Sequence, residues 1–120
     1  MPRDDASLLD VLQASRRAEE FLGGLDLDAF LADVKTQSAV LHQLLVLGEA
    51  VKRLSPTFRE SHPEIPWKEI AGSRDILIHA YDSVDLGGVW RAVTEDVPTL
   101  VASAAPLVSP PEGRSNKATP

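Results

Sequence analysis

The sequence predicts an all-α protein, an antiparallel four- or five-helix bundle in one domain. Apolar residues recur at helical spacing in several segments, capping residues and Gly or Pro residues separate these segments, and no segment of useful length alternates as a β-strand does. A chain of 120 residues is long enough for one hydrophobic core and too short for two comfortable ones. We expect the bundle to span residues 1–108. The Pro-rich residues 109–120 include no large apolar side chain and predict a disordered tail.

The first predicted helix starts near the N-terminus and ends at the Gly23-Gly24 pair. Its candidate capping residues are Asp4, Asp5 and Ser7. The rows that make it amphipathic are Leu8, Leu12, Ser15 and Glu19, and Leu9, Ala18 and Leu22.

A short helix capped by Asp26 or Asp28 precedes a long helix from about Asp33 to Leu54. The buried stripe expected on the long helix is Leu41, Leu44, Leu45, Gly48, Val51 and Leu54. Glu49 has two interpretations, a solvated helix residue or a supporting residue that pairs with a cation in a cleft or orders a dimer. Its residue type favours the solvated position.

The Ser55-Pro56 pair ends the long helix, and Pro63 and Pro66 predict an extended connector behind it. We expect Trp67 to anchor this connector in the core. Further along, Asp85 is a plausible cap for a helix that continues towards Pro98. Residues 98–108 form either a separate final helix or a kinked continuation.

Composition restricts the classes of function. The formal net charge of −6 argues against broad, non-specific nucleic-acid affinity and suits a basic protein partner better. The chain has no cysteine, and its three histidines form no recognisable metal pattern, so we expect neither a metal site nor a cofactor. It has no apolar run of membrane-spanning length and no signal-peptide pattern at its start. A cytoplasmic location without membrane contact is therefore predicted.

Residues 65–81 hold the one spacing that suggests chemistry, Arg74 and His79 with four residues between them and Tyr81 two further on. On a helical wheel with Arg74 at zero, an arc from about 200° to 340° predicts the core side. That arc holds Ile70, Ile76, Leu77, Ala80 and Tyr81. The opposite arc holds Arg74, Asp75, Ile78 and His79. Such a face suits a second copy of the same helix, and a homodimer would bring two Arg and two His residues into one cleft.

The segment "IPWKEIAGSRDILIHAY" closely resembles the Arg-x4-His-x-Tyr segment of HepT-like toxins, which belong to the HEPN group of helical bundles. The flanking segments "AVLHQLLVLGEAVKRLSP", "HPEIPW" and "DLGGVWRAVTEDVPTL" resemble the family in the same order. The resemblance covers roughly residues 8–108 and implies a HEPN-like bundle with metal-independent ribonuclease activity. It also implies a 2′,3′-cyclic phosphate product.

Cleavage of RNA without a metal needs a base, an acid and a cation that stabilises the phosphorane. His79 and Arg74 are the right residue types, and Asp75 lies within helical reach to orient the imidazole of His79. One His per subunit supplies one proton-transfer group, so a mechanism with two His residues needs the dimer. By resemblance, Tyr81 is the residue to which a nucleotidyltransferase antitoxin attaches AMP, which would block phosphate binding beside Arg74.

Two other interpretations remain open. In the first, Arg74 and His79 lie on a solvated or dimer-forming helix face and have no catalytic role, as is usual for such pairs. Tyr81 is then a core tyrosine whose hydroxyl contacts solvent. Alternatively, the chain is a non-catalytic helical partner of a nucleotidyltransferase that presents a substrate or nucleotide. The acidic composition favours this second interpretation modestly.

Overall fold

The computed structural model describes residues 2–72 and 85–108, with side chains from residue 4 onward. The predicted all-α class is confirmed, because every regular element in these ranges is helical. The helices are α1 (Pro2–Leu22), α2 (Leu27–Leu31), α3 (Val34–Arg53), α4 (Pro56–Ser61), α5 (67–72 within the described chain), α6 (Leu86–Arg91) and α7 (Val97–Ala104). A π-helical turn (Ala92–Asp96) joins α6 to α7, and a 3₁₀ turn (Ala105–Leu107) follows.

The antiparallel pair α1 and α3 forms the centre of the fold. The start of α1 lies beside the end of α3, where Arg53 Nη2 donates to Asp10 Oδ2 at 3.1 Å. One buried cluster joins Leu8, Val11 and Leu12 of α1 to Leu47, Ala50, Val51 and Leu54 around the C-terminal half of α3, together with Trp67 and Leu100. A second cluster at the other end of the pair contains Ala18, Leu22, Phe30, Val40, Val89 and Val93.

The predicted start of α1 is wrong, because the helix begins at Pro2, ahead of all three candidate caps. Asp4 is instead 6% exposed and accepts hydrogen bonds from the backbone N of Ser55 at 2.8 Å and from its Oγ at 2.7 Å. The side chain therefore ties α1 to the junction of α3 and α4. Of the two leucines that begin the amphipathic rows, Leu8 is fully buried and Leu9 is 52% exposed.

The predicted cap of α2 at Asp26 and the predicted start of α3 at about Asp33 are confirmed, and Asp33 also caps α3. Asp26 Oδ1 accepts from the backbone N of Ala29 at 2.9 Å, and Asp33 Oδ1 accepts from that of Thr36 at 3.0 Å. Gly23 ends α1 with a φ of 62°, a conformation that favours glycine. The stripe predicted for α3 is partly wrong, because Leu41, Leu44 and Leu45 are only partly buried. The buried residues of α3 are Val40, Gln43, Leu47, Gly48, Ala50 and Val51.

Helix α4 was not predicted, and it lies between the end of α3 and the connector through residues 61–66 that was expected to be extended. Ser55 Oγ caps it by accepting from the backbone N of Phe58 at 3.1 Å, and Pro56 occupies its first turn, where a missing N–H costs nothing. Trp67 anchors the connector as predicted. It is 5% exposed, and its Nε1 donates to the carbonyl of His62 at 3.0 Å.

Helix α7 continues helix α6 through the wider π-helical turn at Ala92–Asp96. Asp85 caps α6 as predicted, by accepting from the backbone N of Gly88 at 3.0 Å. The backbone stays helical at Ala92 and Val97, on either side of the π-helical turn. Pro98 follows that turn, and because proline has no N–H, it cannot bond the carbonyl four residues earlier. None of the helices described is both long and apolar enough to cross a membrane.

Candidate active site

The motif residues Arg74, Asp75, His79 and Tyr81 lie outside the described residues. The described part of α5 ends at Gly72, two residues before Arg74 in the sequence.

The first turns of α5 bury residues on two sides. Trp67 and Ala71 are buried and Ile70 is partly buried, whereas Lys68 and Glu69 are exposed. On the wheel with Arg74 at zero, Trp67 and Ala71 fall at about 20° and 60°, inside the arc expected to face outward. Residues 67–72 therefore do not follow the single core arc. The outward positions of Arg74 and His79 stay a prediction.

Trp67 explains why the start of α5 departs from that arc. Its ring closes the core beneath the connector, 6.1 Å from the ring of Phe58 on α4. The side of the first turn that carries Trp67 and Ala71 is consequently covered by this subunit. A helical wheel shows one helix alone and cannot show that a connector folds back over its first turn.

Glu49, the supporting residue on α3, is exposed, as expected for a solvated helix residue. Its neighbour Gly48 is buried in the same helix. The proposed role of Glu49 beside the motif stays a prediction. Among the described residues, no group of three His, Cys, Asp or Glu side chains is arranged to hold a metal ion.

An open groove of about 840 Å³ lies between the end of α3, α4, the connector and the start of α5. The sequence did not predict it. Three cationic side chains, Lys52, Arg59 and Lys68, line it together with three carboxylates, Glu60, Glu64 and Glu69. The remaining lining residues are Pro56, Pro63, Ile65, Pro66, Trp67 and Ala71. We call this the α3–α5 groove. Its residues come from separate elements, so their proximity was not readable from sequence spacing.

Arg59 differs from the other cations of the α3–α5 groove. The side chain is partly buried, and its Nε is buried without a hydrogen-bond partner in the described structure. A buried donor without a partner costs about 1–3 kcal/mol, and more when the group is charged.

Comparison with known proteins finds related sequences over most of the chain. The ribonuclease HepT-like family profile matches residues 11–106, which include the motif segment. A protein of Thermococcus cleftensis named "probable ribonuclease HepT" is 46% identical over 93 residues, 78% of this chain and 84% of that protein. A "putative RNase" of Methanocaldococcus jannaschii is 37% identical over 115 residues, 94% of this chain and 95% of that protein.

A "putative RNase" of Caldanaerobacter subterraneus subsp. tengcongensis is 39% identical over 90 residues, 75% of this chain and 80% of that protein. No solved structure matches the chain. The family match covers more than half of the chain, and the relatives named here are aligned over most of their own length. The resemblance deduced from the motif and its flanking segments is confirmed: the chain belongs to the ribonuclease HepT-like family.

Proposed function

We propose that the protein is a metal-independent endoribonuclease and the toxin of a toxin–antitoxin pair. The observation that carries the proposal is the family match over residues 11–106, which contains Arg74-x4-His79-x-Tyr81 in full. The relatives whose names describe ribonucleases support the reaction class. Family membership thus outweighs the acidic composition, which alone would favour a protein partner over RNA.

The proposed reaction uses the internal nucleophile of RNA. The 2′-oxygen attacks the adjacent phosphorus, the bond from phosphorus to the 5′-oxygen breaks, and a 2′,3′-cyclic phosphate and a 5′-hydroxyl result. A base removes the 2′-hydroxyl proton and an acid protonates the leaving oxygen, which are roles that imidazole fills near neutral pH. In this scheme His79 transfers protons, Arg74 stabilises the phosphorane and Asp75 orients the imidazole.

A homodimer completes the proposed site, because one His per subunit supplies one proton-transfer group. Two motif helices related by a two-fold axis would place both His79 side chains and both Arg74 side chains in one cleft. Glu49 is exposed on α3 and so is accessible for a supporting contact with a cation of that cleft.

The direct test is RNA cleavage in the presence of EDTA by the wild type and by His79→Ala. We expect the wild type to release a 2′,3′-cyclic phosphate and His79→Ala to lose activity by about 100-fold or more, the usual contribution of a proton-transfer group. The variant must retain the oligomeric state and melting temperature of the wild type. Equal cleavage by both proteins would refute the assignment of His79.

Regulation through Tyr81 is the second part of the proposal. Transfer of AMP to its hydroxyl by a nucleotidyltransferase would add phosphate charge and bulk beside Arg74, which would then be satisfied internally and unable to hold substrate. We expect the protein co-expressed with a nucleotidyltransferase encoded beside it to gain the mass of one or more AMP groups on the peptide containing Tyr81. Tyr81→Phe should stay unmodified, and an unmodified wild type in the presence of active enzyme would contradict this part.

The alternative is a non-catalytic partner of a nucleotidyltransferase. The net charge of −6 favours it, because proteins that bind RNA broadly are usually basic. It predicts that Arg74→Ala weakens nucleotide or partner binding while neither the wild type nor any variant produces cleaved RNA. Cleavage in EDTA that depends on His79 would exclude this alternative.

A further inference from the structure

Two large apolar side chains are exposed where α2 meets α3. Leu31 ends α2 and Val34 begins α3, and their exposed fractions are 46% and 71%. Leu27 lies one helical turn before Leu31 on α2 and is partly buried. We call Leu27, Leu31 and Val34 the α2–α3 corner. The other large apolar side chains that are exposed in the described chain, Leu9 and Phe21, lie about three turns apart on α1 and form no such pair.

Hydrogen bonds hold the backbone of the corner in one conformation. Gln37 Nε2 donates to the carbonyl of Phe30 at 2.9 Å and to that of Leu31 at 3.1 Å, at the end of α2. The backbone N of Asp33 also donates to the carbonyl of Phe30, at 3.2 Å. The ring of Phe30 is fully buried in the second cluster. Because the turn is bonded and anchored in this way, the exposure of Leu31 and Val34 is a property of the fold.

The charges beside the α2–α3 corner are acidic. Asp26 and Asp28 flank Leu27, and both are exposed. Neither carboxylate forms an ion pair with another residue of the described chain. Residues 25–41 contain three Asp and one Lys, and no Glu or Arg. The corner is therefore an apolar patch with a negatively charged edge.

This charge distinguishes between the partners that would cover the patch. A second copy docked through the same corner would place Asp26 and Asp28 against their own counterparts, and like charges across an interface oppose binding. RNA is repelled by the same carboxylates. Residues 109–120 have no large apolar side chain with which to cover Leu31 and Val34. A protein segment that carries apolar side chains on one side and Lys or Arg beside them matches both the patch and its edge.

We propose that the α2–α3 corner is a docking site for a basic amphipathic segment of a protein partner. Apolar side chains of the segment pack on Leu31 and Val34, and its Lys or Arg side chains pair with Asp26 and Asp28. A short helix with apolar residues at every third or fourth position presents such a face. The inference does not depend on the proposed ribonuclease function, because the corner contains none of the residues assigned to the reaction.

The test is an NMR titration of the isotope-labelled full-length protein with a synthetic helical peptide that carries Leu on one face and Lys on the other. We expect the backbone amide signals of residues 26–37 to shift and to saturate. Leu31→Gln should weaken binding about fivefold or more, because docking buries about half of a leucine side chain. Asp26→Asn combined with Asp28→Asn keeps a capping acceptor on α2. It should weaken binding about threefold at low salt and have little effect at high salt.

The matched control is Leu9→Gln, which replaces a leucine of similar exposure on α1, outside the corner. It should leave the peptide affinity unchanged. A second control is the same peptide with Glu in place of Lys, which should not shift the corner signals. Val34→Ser changes a side chain that is mostly exposed at the first position of α3, so it keeps the test decisive even if Leu31→Gln does not fold.

Four results would overturn the inference. Leu31→Gln and Leu9→Gln could weaken peptide binding equally, which would show non-specific apolar contact. The Glu peptide could bind as well as the Lys peptide, which would remove charge from the recognition. The corner signals could shift with protein concentration in the absence of peptide, which would assign the corner to a second copy. A short RNA could shift these signals, which would assign the corner to nucleic acid. None of these results depends on RNA cleavage, so the proposed function is tested separately.

Discussion

Asp4 and Ser55 show how two side chains connect three helices. Ser55 follows α3 and caps α4, and it donates through both its backbone N and its Oγ to the buried carboxylate of Asp4 on α1. These bonds hold the start of α4, whose residues line the α3–α5 groove. The same hydroxyl thus fixes the junction of α3 and α4 and helps to satisfy a buried carboxylate.

Replacement of Ser55 tests this connection. Ser55→Ala removes a helix cap and one donor to Asp4, so we expect the free energy of unfolding to fall by about 1–3 kcal/mol. Ser61→Ala is the control, since Ser61 Oγ donates only to the carbonyl of Thr57 at an exposed position of the same helix. Urea denaturation measures both variants, and equal losses would contradict the role assigned to Ser55.

Asp33 gives a prediction for pH. The backbone N–H of Thr36, followed by its hydroxyl, holds the pKa of the Asp33 carboxyl below its ordinary value of 3.8. Because the folded pKa is lowered, the stabilisation by ionised Asp33 is present above the unfolded pKa and is lost as pH falls through the folded pKa. Asp33→Asn keeps a capping acceptor that does not titrate.

Thermal unfolding of the wild type and of Asp33→Asn between neutral pH and about pH 3 measures this difference. We expect the advantage in melting temperature of the wild type over the variant to shrink as the pH falls below about 4. An advantage that stays constant over this range would show that the cap bond does not depend on ionisation of Asp33.

At the scale of elements, the pairing of α1 with α3 determines which leucines of α1 stabilise the fold. Leu8 is fully buried and its neighbour Leu9 is 52% exposed. We expect Leu8→Ala to lower the free energy of unfolding by about 2–5 kcal/mol and Leu9→Ala to change it by about 0.5 kcal/mol or less. Comparison of the denaturation midpoints at equal m-values checks both, and similar losses would contradict the packing of α1.

The same elements show what the sequence could predict. Local signals predicted the caps at Asp26 and Asp85, the start of α3 near Asp33 and the helix end at Gly23, because each capping side chain bonds within three residues of itself. The start of α1 could not be predicted in this way, since the partner of Asp4 lies 51 residues away. Periodicity placed Leu9 in an amphipathic row and Leu41 in the buried stripe because it identifies apolar positions without showing which neighbours cover them.

The candidate site was predicted unevenly for the same reason. The motif and its flanking segments were sufficient to identify the family, because their spacing is a property of the sequence itself. The α3–α5 groove was missed, because Lys52, Arg59 and Lys68 come together only when α4 and the connector fold back beside α5. The same fold of the connector explains why Trp67 and Ala71 are buried although the helical wheel placed them on the outward side.

At the scale of the whole molecule, the central claim is that two subunits build one ribonuclease site. The chain supplies one Arg-x4-His pair, whereas the proposed reaction needs an acid and a base. The claim therefore concerns how activity depends on the composition of the dimer. A dimer with one His79→Ala subunit should lack one of the two proton-transfer groups and be nearly inactive.

The most direct measurement is RNA cleavage in EDTA by mixtures of wild type and His79→Ala that have exchanged subunits at constant total concentration. Mixing with tagged wild type serves as control, and recovery of the tag in mixed dimers confirms exchange. The composite site predicts activity that follows the square of the wild-type fraction, about one quarter of full activity in an equal mixture. Activity of about one half would show that each subunit cleaves alone and would contradict the composite site.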